Sequence, residues 1–346
     1  MKIGLVGFAG SGKTTVFNAI TGLDVPVGFG GEVRLGTVKV PDQRIDQLSR
    51  IFLPQKTTYA DISFCDIPGE HGAEKVGLSP GTLQHIQHQD AICLVLRDFP
   101  NPALESDPNP MEDLDAFLTE FIFADLITVE KRLDRLRKER ADIQEITTFE
   151  IIKEALERGH PIRSVSEDKI SRVYLRGFNL LTDKILIVAL NRDEGRANSS
   201  MPAHLKAHLS DLGAAGFLLS ASVEAEIAGL DVEDQTIFIR DLGLEEPVLA
   251  RLIKTTYSLL DLISFFTVGE DEVRAWTITR GTKARAAAGR IHSDLERGFI
   301  RAEIIPYDIF MEYGSEQAVK DAGCLQVEGK EYLVADGDIM NVRFNL

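Results

Sequence analysis

Cysteine is scarce in this chain of 346 residues: Cys65, Cys93 and Cys324 stand far apart, and no CxxC pair occurs. That spacing excludes a disulfide framework or a zinc module and fits a reducing compartment, so a cytoplasmic location is expected. Long apolar runs are missing too. AICLVL at 91–96 and LIVAL at 186–190 fall far short of the ~20 residues a membrane span needs, and no membrane contact is expected. Met1-Lys2 lead straight into an apolar stretch without an export-signal pattern. Positive charge is in the minority, 38 Lys and Arg against 54 Asp and Glu for a net −16, which excludes a uniformly basic nucleic-acid coat. Repeats and low-complexity tracts are absent. What remains is 44% hydrophobic and 27% charged, a globular composition with room for two or three domains at ~100–200 residues each.

Short apolar runs recur along the first two thirds: Ile3–Val6, Ile62–Cys65, Ala91–Leu96, Ile185–Leu190 and Gly216–Leu219. They lack clean alternation, as strands buried on both faces of a parallel sheet do. Helical stretches such as Gln43–Phe52 and His204–Leu212 lie between them, which predicts a doubly wound α/β domain. The alternation breaks between about Asp113 and Leu181. There Leu126, Val129, Leu133 and Leu136 step by three and four, and Ile143 restarts the stripe. Ile170, Val173, Tyr174 and Phe178 offer a return face, so an antiparallel helical hairpin is expected as an insertion. From Phe265 onward a strand and turn, a small-residue helix and Gly-turn hairpins predict a small α+β domain. The expected division is 1–112 with 182–264, then 113–181, then 265–346.

Gly7-Phe8-Ala9-Gly10-Ser11-Gly12-Lys13-Thr14 matches GxxxxGK[ST] between a strand and a helix. In that context Gly10, Ser11, Gly12, Lys13, Thr14 and Thr15 are expected to cradle phosphates, with Lys13 on the β/γ-phosphates and the Thr14 hydroxyl on Mg²⁺. Asp66-Ile67-Pro68-Gly69 follows the next core strand. There Asp66 is placed to hold Mg²⁺ through water, and Gly69 to turn its N–H toward a γ-phosphate. Asn191-Arg192-Asp193-Glu194 stands where a GTPase carries N/T-K-x-D, with Glu194 at the Asp position. The longer carboxylate weakens guanine preference, which leaves ATP or GTP as the nucleotide. Ser220 and Ala221 follow the last core strand as a second base-side loop. Four such elements, in this order, specify a P-loop NTPase.

With those motifs the chain resembles the Obg-like ATPase (YchF) family over nearly its whole length. The resemblance is carried by GFAGSGKTT, VKVPDQRIDQL at 38–48, DIPG, the helical insertion, NRDE, LSASVEAEIAGLD at 219–231, and the stretch from Phe265 to Ile305, which looks like the family's TGS domain. It implies a nucleotide domain, an inserted helical hairpin and a TGS-like end, with ATP accepted at least as readily as GTP and association with ribosomes. There are departures. Where many GTPases place a water-orienting Gln, this chain has Glu70-His71, either a catalytic pair or solvent-facing. Gly30 stands at the family's switch Thr, with Thr37 as a substitute candidate, and PNPALESDPNP at 100–110 lacks the family's His. Hydrolysis is therefore expected to be slow without a partner.

Two basic islands interrupt the acidic total, Lys131–Arg140 and Arg280–Arg301. In the second, Arg280, Lys283, Arg285 and Arg290 are interspersed with alanines that would let an RNA backbone approach. A solvated helix face with i,i+4 pairs is the rival reading of both. Trp276 is expected in the core of the C-terminal domain. The reading that results is a nucleotide-hydrolysing switch acting on the ribosome. The alternatives are a nucleotide-gated RNA-binding module with little or no hydrolysis and a small-molecule P-loop kinase.

Overall fold

The computed structural model describes residues 1–28, 32–69, 78–139, 142–197, 199–244 and 246–345. In chain order the strands are β1 (Lys2–Val6), β2 (Arg34–Lys39), β3 (Lys56–Thr58), β4 (Asp61–Asp66), β5 (Ala91–Asp98), β6 (Ile185–Arg192), β7 (Ala215–Leu219), β8 (Leu262–Thr267), β9 (Glu272–Thr279), β10 (Phe299–Pro306), β11 (Gln326–Glu328) and β12 (Asp338–Phe344). The helices are α1 (Lys13–Thr21), α2 (Gln43–Phe52), α3 (Pro80–Gln87), α4 (Pro110–Glu139), α5 (Ile143–Glu157), α6 (Ala203–Asp211), α7 (Ala221–Gly229), α8 (Val232–Asp241) and α9 (Val248–Leu259). Then come α10 (Ala284–Ile291), α11 (Ser293–Arg297), α12 (Tyr307–Tyr313) and α13 (Glu316–Asp321). Two compact units form, one from Met1–Val38 with Ser63–Leu252, the other from Lys39–Ile62 with Ile253–Leu346.

The first unit is built on a six-stranded sheet of order β2-β4-β1-β5-β6-β7. β1 runs parallel to β4 and β5, and β6 runs parallel to β5 and β7. Ile92, Leu94 and Leu96 face one way, into a core shared with Ile86 of α3, Leu114 and Phe117 of α4, and Leu205 and Leu209 of α6. Ile3, Leu5, Cys93 and Val95 are as deeply buried on the opposite face, where α1 and α7 pack together. Burial on both faces is why these strands read as unbroken apolar runs. Parallel strands also end on one edge, so the loops after β1, β4, β5, β6 and β7 gather there.

α4 takes part in two cores. Its first half buries Leu114, Phe117, Leu118 and Phe121 against the sheet, while Val129, Leu133 and Leu136 meet Phe149, Ile152 and Leu156 of α5 in a separate cluster. Between them Asp125 is 1% exposed and accepts from Leu181 N (2.8 Å), Thr182 N (2.7 Å) and Thr182 Oγ1 (2.7 Å). Burial pushes the Asp125 carboxyl up, opposed by those bonds and by Arg163. The hairpin thus exists, but its return helix is α5, capped by the Asp142 side chain on Gln144 N. Residues 170–178 hold only a 3-10 turn at Arg172–Leu175, and Val173 is exposed, because Gly159 with φ +79°, Pro161 and Gly177 end helical continuity.

The second unit carries a mixed sheet of order β11-β10-β12-β8-β9-β3. β8 and β9 form an antiparallel hairpin, β12 runs parallel to β8, and β3 runs parallel to β9 with Thr57 opposite Val273. β11 and β12 both pair with β10, so the C-terminal segment makes no hairpin of its own. Residues 39–62 belong here, with Ile45 and Leu48 of α2 fully buried and Phe52 stacked on Phe310 at 5.3 Å. The division differs from 265–346 at its front end: β8 begins at Leu262, and a segment from early in the chain completes the sheet. Trp276 packs against this core, its ring on Phe265 and its Nε1 donating to Thr267 Oγ1 at 3.0 Å.

Candidate functional site

The loop from β1 to α1 turns on glycines. Gly10 and Gly12 have φ of +79° and +91°, and a Cβ on Gly12 would stand 2.2 Å from Asn191 Nδ2. Gly12 is the N-cap of α1 and provides no side-chain cap, so the first-turn N–H groups stay open to an anion. Lys13 is 6% exposed and donates to Phe8 O at 3.0 Å, which curls its ammonium back over the loop. Burial pushes its pKa down to about 8, against the pull of Asp66.

Below the loop Thr14 Oγ1 donates to Asp66 Oδ2 at 3.0 Å. Asp66 Oδ1 and Ser11 Oγ are buried without a hydrogen-bond partner. An aligned hydroxyl and carboxylate with an orphaned oxygen form a hard donor set, which fits a magnesium ion and its waters. Gly69 closes the cleft from the β4 side: a Cβ there would meet Lys13 Nζ at 2.6 Å and Gly7 O at 2.7 Å. The resulting cleft, about 390 Å³, brings together Gly10, Gly12, Lys13, Thr14, Thr15, Asp66 and Gly69.

Asn191 is 2% exposed at the end of β6. Its Nδ2 donates to Ser11 O and its Oδ1 accepts from Ala221 N, both at 2.9 Å, so its carboxamide ties the phosphate loop to the loop after β7. Ser220 is buried and its hydroxyl pairs with Ser222. Glu194 opens a short 3-10 turn at the surface, and its carboxylate has no bond among the described residues. Arg192, at the Lys position, turns away to Asp98 Oδ2 (2.8 Å) and Ser200 O (3.2 Å). Thr37 bonds Ser63 Oγ at 3.3 Å and does not line the cleft. Glu70, His71 and Gly30 lie outside the described residues.

Asn101, Phe99 and Arg34 line the cleft without a motif that marks them. Asn101 Nδ2 donates to Gly10 O at 3.2 Å, and Phe99 and Arg34 stand in the wall. The proximity of Asn101 to the loop is signalled only by its place just beyond a core strand. Arg34 has no signal, because the strand that presents it has little apolar pattern.

The basic islands are partly neutralised. Arg132 pairs with Glu145 and Arg137 with Glu150, while Lys131, Arg135 and Lys138 stay exposed on α4; Arg140 lies outside the described residues. Arg280 pairs with Asp261, Lys283 with Glu331 and Arg297 with Asp294, and Arg285 Nε donates to Glu296 O. Arg290 and Arg301 have no ion pair among the described residues, and both are exposed. Ala284, Ala287 and Ala288 are fully buried, so these alanines seat α10 on the sheet and are not open to a nucleic-acid backbone.

A parallel sheet whose first strand opens into a glycine-rich loop, with Thr14 and Asp66 joined beneath it, defines a P-loop nucleotide-binding protein of the GTPase-like class. A family model described as 50S ribosome-binding GTPase matches residues 2–132, and one described as YchF-GTPase_C, a protein of unknown function, matches 262–345. The ribosome-binding ATPase YchF of Bacillus subtilis (strain 168) is 38% identical over 364 aligned positions, covering 100% of both chains. The Escherichia coli O157:H7 protein of the same description is 37% identical, covering 100% of this chain and 99% of its own. The solved structure of the Schizosaccharomyces pombe YchF GTPase superposes with a TM-score of 0.85 at 31% identity, over 99% of this chain and 97% of that one. The chain belongs to the YchF family. No described helix is long and apolar enough to cross a membrane.

Proposed function

We propose that this protein is a cytoplasmic, magnesium-dependent nucleoside triphosphatase that takes ATP at least as readily as GTP and works in contact with the ribosome. The observation that carries the reading is the Thr14–Asp66 oxygen pair, with its orphaned Oδ1, beneath a loop that holds Lys13 against it. In this reading the backbone N–H groups of Gly10, Ser11, Gly12, Thr14 and Thr15 receive phosphate oxygens. Lys13 leaves Phe8 O for the β/γ-phosphates, and its lowered pKa reflects burial of the ammonium that the Asp66 carboxylate only partly offsets. Thr14 would ligate Mg²⁺ and Asp66 would hold it through water; the ion's chemistry there is to neutralise charge on the phosphates. Asn191 keeps the base-side loops in register, Glu194 faces the base edge with its free carboxylate, and Ser220 and Ala221 form the opposite wall.

The resemblance to curated relatives described as ribosome-binding supports a ribosomal partner. Arg290 and Arg301, free of ion pairs among the described residues, are the cations we assign to that contact, with Lys131, Arg135 and Lys138 as a second patch. The test of the nucleotide reading is a parallel titration of ATP and GTP into wild type and Glu194→Asp. ATP is expected to bind wild type at least as tightly as GTP, and the shorter carboxylate to shift preference toward GTP. Much tighter GTP binding by the wild type would overturn the role given to Glu194.

A further inference from the structure

We propose that Arg34 is a catalytic residue of the hydrolysis, an arginine supplied in cis to the transferring γ-phosphoryl group. The inference rests on the nucleotide-hydrolase reading above. Arg34 opens β2, which lies beside β4 in the sheet, and its side chain enters the cleft next to Asp66. Lys13 and Arg34 are the two cations among the described residues that line that cleft.

The two are bonded very differently. Lys13 is buried and spends a donor on Phe8 O. Arg34 is 29% exposed at its side chain, and one Nη1–H goes to Pro26 O at 3.2 Å. A guanidinium has five N–H donors, and no other bond holds those of Arg34 among the described residues. Its approach to Asp66 Oδ2 is 4.0 Å, too long for a hydrogen bond, although Asp66 Oδ1 lies unpartnered on the same carboxylate. A structural ion pair would have closed on that free oxygen. The guanidinium stands instead beside the magnesium-ligand pair with most of its fork uncommitted, which suits a phosphoryl group with oxygens to spare.

In the step, the oxygen of water bonds to Pγ as the bond from Pγ to the β-phosphate oxygen breaks. The electron pair leaves with the nucleoside diphosphate, and the water's protons leave with inorganic phosphate and solvent. Arg34 stays protonated throughout and offsets charge on the equatorial and leaving oxygens, so its contribution appears in the transition state. This also fits slow turnover: GTPases that supply their arginine in cis turn over on the order of 10⁻² s⁻¹, well below the rate reached with an arginine supplied by a partner.

The test compares wild type with Arg34→Ala and Arg34→Lys in three measurements: ATP affinity by calorimetry, single-turnover hydrolysis, and trapping of ADP with fluoroaluminate. Arg34→Ala is expected to keep ATP affinity within about threefold, to lose roughly 10³-fold in turnover and to lose the fluoroaluminate complex. Arg34→Lys, which keeps the charge but not the fork, should fall between. Wild-type turnover in Arg34→Ala overturns the proposal. So does a loss of ATP affinity equal to the loss of turnover, which makes Arg34 a ground-state binding or structural residue. Failure of the wild type to bind ATP or hydrolyse it, with or without ribosomes, overturns the underlying reading and is seen before any variant is made.

Discussion

At the residue scale, the site is made by atoms that have no room to be anything else. Gly12 combines φ of +91° with an Asn191 amide 2.2 Å from where a Cβ would sit, so Gly12→Ala carries both backbone strain and a clash. We expect it to abolish measurable ATP binding and to lower stability by about 1–3 kcal/mol, read by calorimetry and denaturant unfolding. Thr14→Ala should instead leave the fold intact and raise the magnesium concentration needed for tight ATP binding, because it removes one oxygen of the donor pair. Lys13, Thr14 and Asp66 are legible in the sequence because each occupies a fixed offset from a strand end. Arg34 is not: its entry into the cleft depends on how β2 lies beside β4, and a cation in a short half-polar strand carries no spacing signal. The Asn191 carboxamide is legible as a site residue, but its use as a clasp between Ser11 and Ala221 depends on three loops placed at once.

At the element scale, the core strands are readable as apolar runs within a residue or two of their observed ends. β3 is not, since Lys56–Thr58 has no apolar pattern and gains its pairing from β9 far along the chain. The hairpin's second helix is misplaced by its apolar pattern for a related reason. Residues 170–178 carry enough apolar groups to cover a core, yet they form a single 3-10 turn that Gly177, at φ +87°, does not let extend, and the same core is covered by turns. Asp125 locks the junction. Asp125→Ala would leave two buried backbone N–H groups of Leu181 and Thr182 unpaired and should cost about 2–3 kcal/mol in chemical denaturation. An Asp125→Asn variant should recover little of that, because its amide offers one acceptor where the carboxylate offers two.

At the scale of the whole molecule, the net charge of −16 hides Arg290 and Arg301, which have no ion pair among the described residues, and nucleic-acid contact must be local. Replacing both Arg290 and Arg301 by Ala should weaken ribosome association and reduce its salt slope by about one for each phosphate no longer neutralised, with ATP affinity unchanged. Arg280→Ala, whose partner is Asp261, should change neither. The second unit is discontinuous in sequence, so a fragment limited to 265–346 lacks β3, β8's first residues and the buried Ile45 and Leu48 of α2. Such a fragment is expected to melt without a cooperative transition, whereas the intact chain melts cooperatively.

The long helix α4 has a mechanical consequence. Phe8 of the phosphate loop lies 4.5 Å, ring to ring, from Phe117 near the root of α4. From Phe117 the same helix continues without a break to Glu139, about 33 Å at 1.5 Å per residue. A one-degree tilt at the Phe8–Phe117 contact therefore carries the far end by about 0.6 Å. Close packing at the root and an unbroken rod beyond it form a lever, with the phosphate loop at the short arm and the tip of the hairpin at the long one.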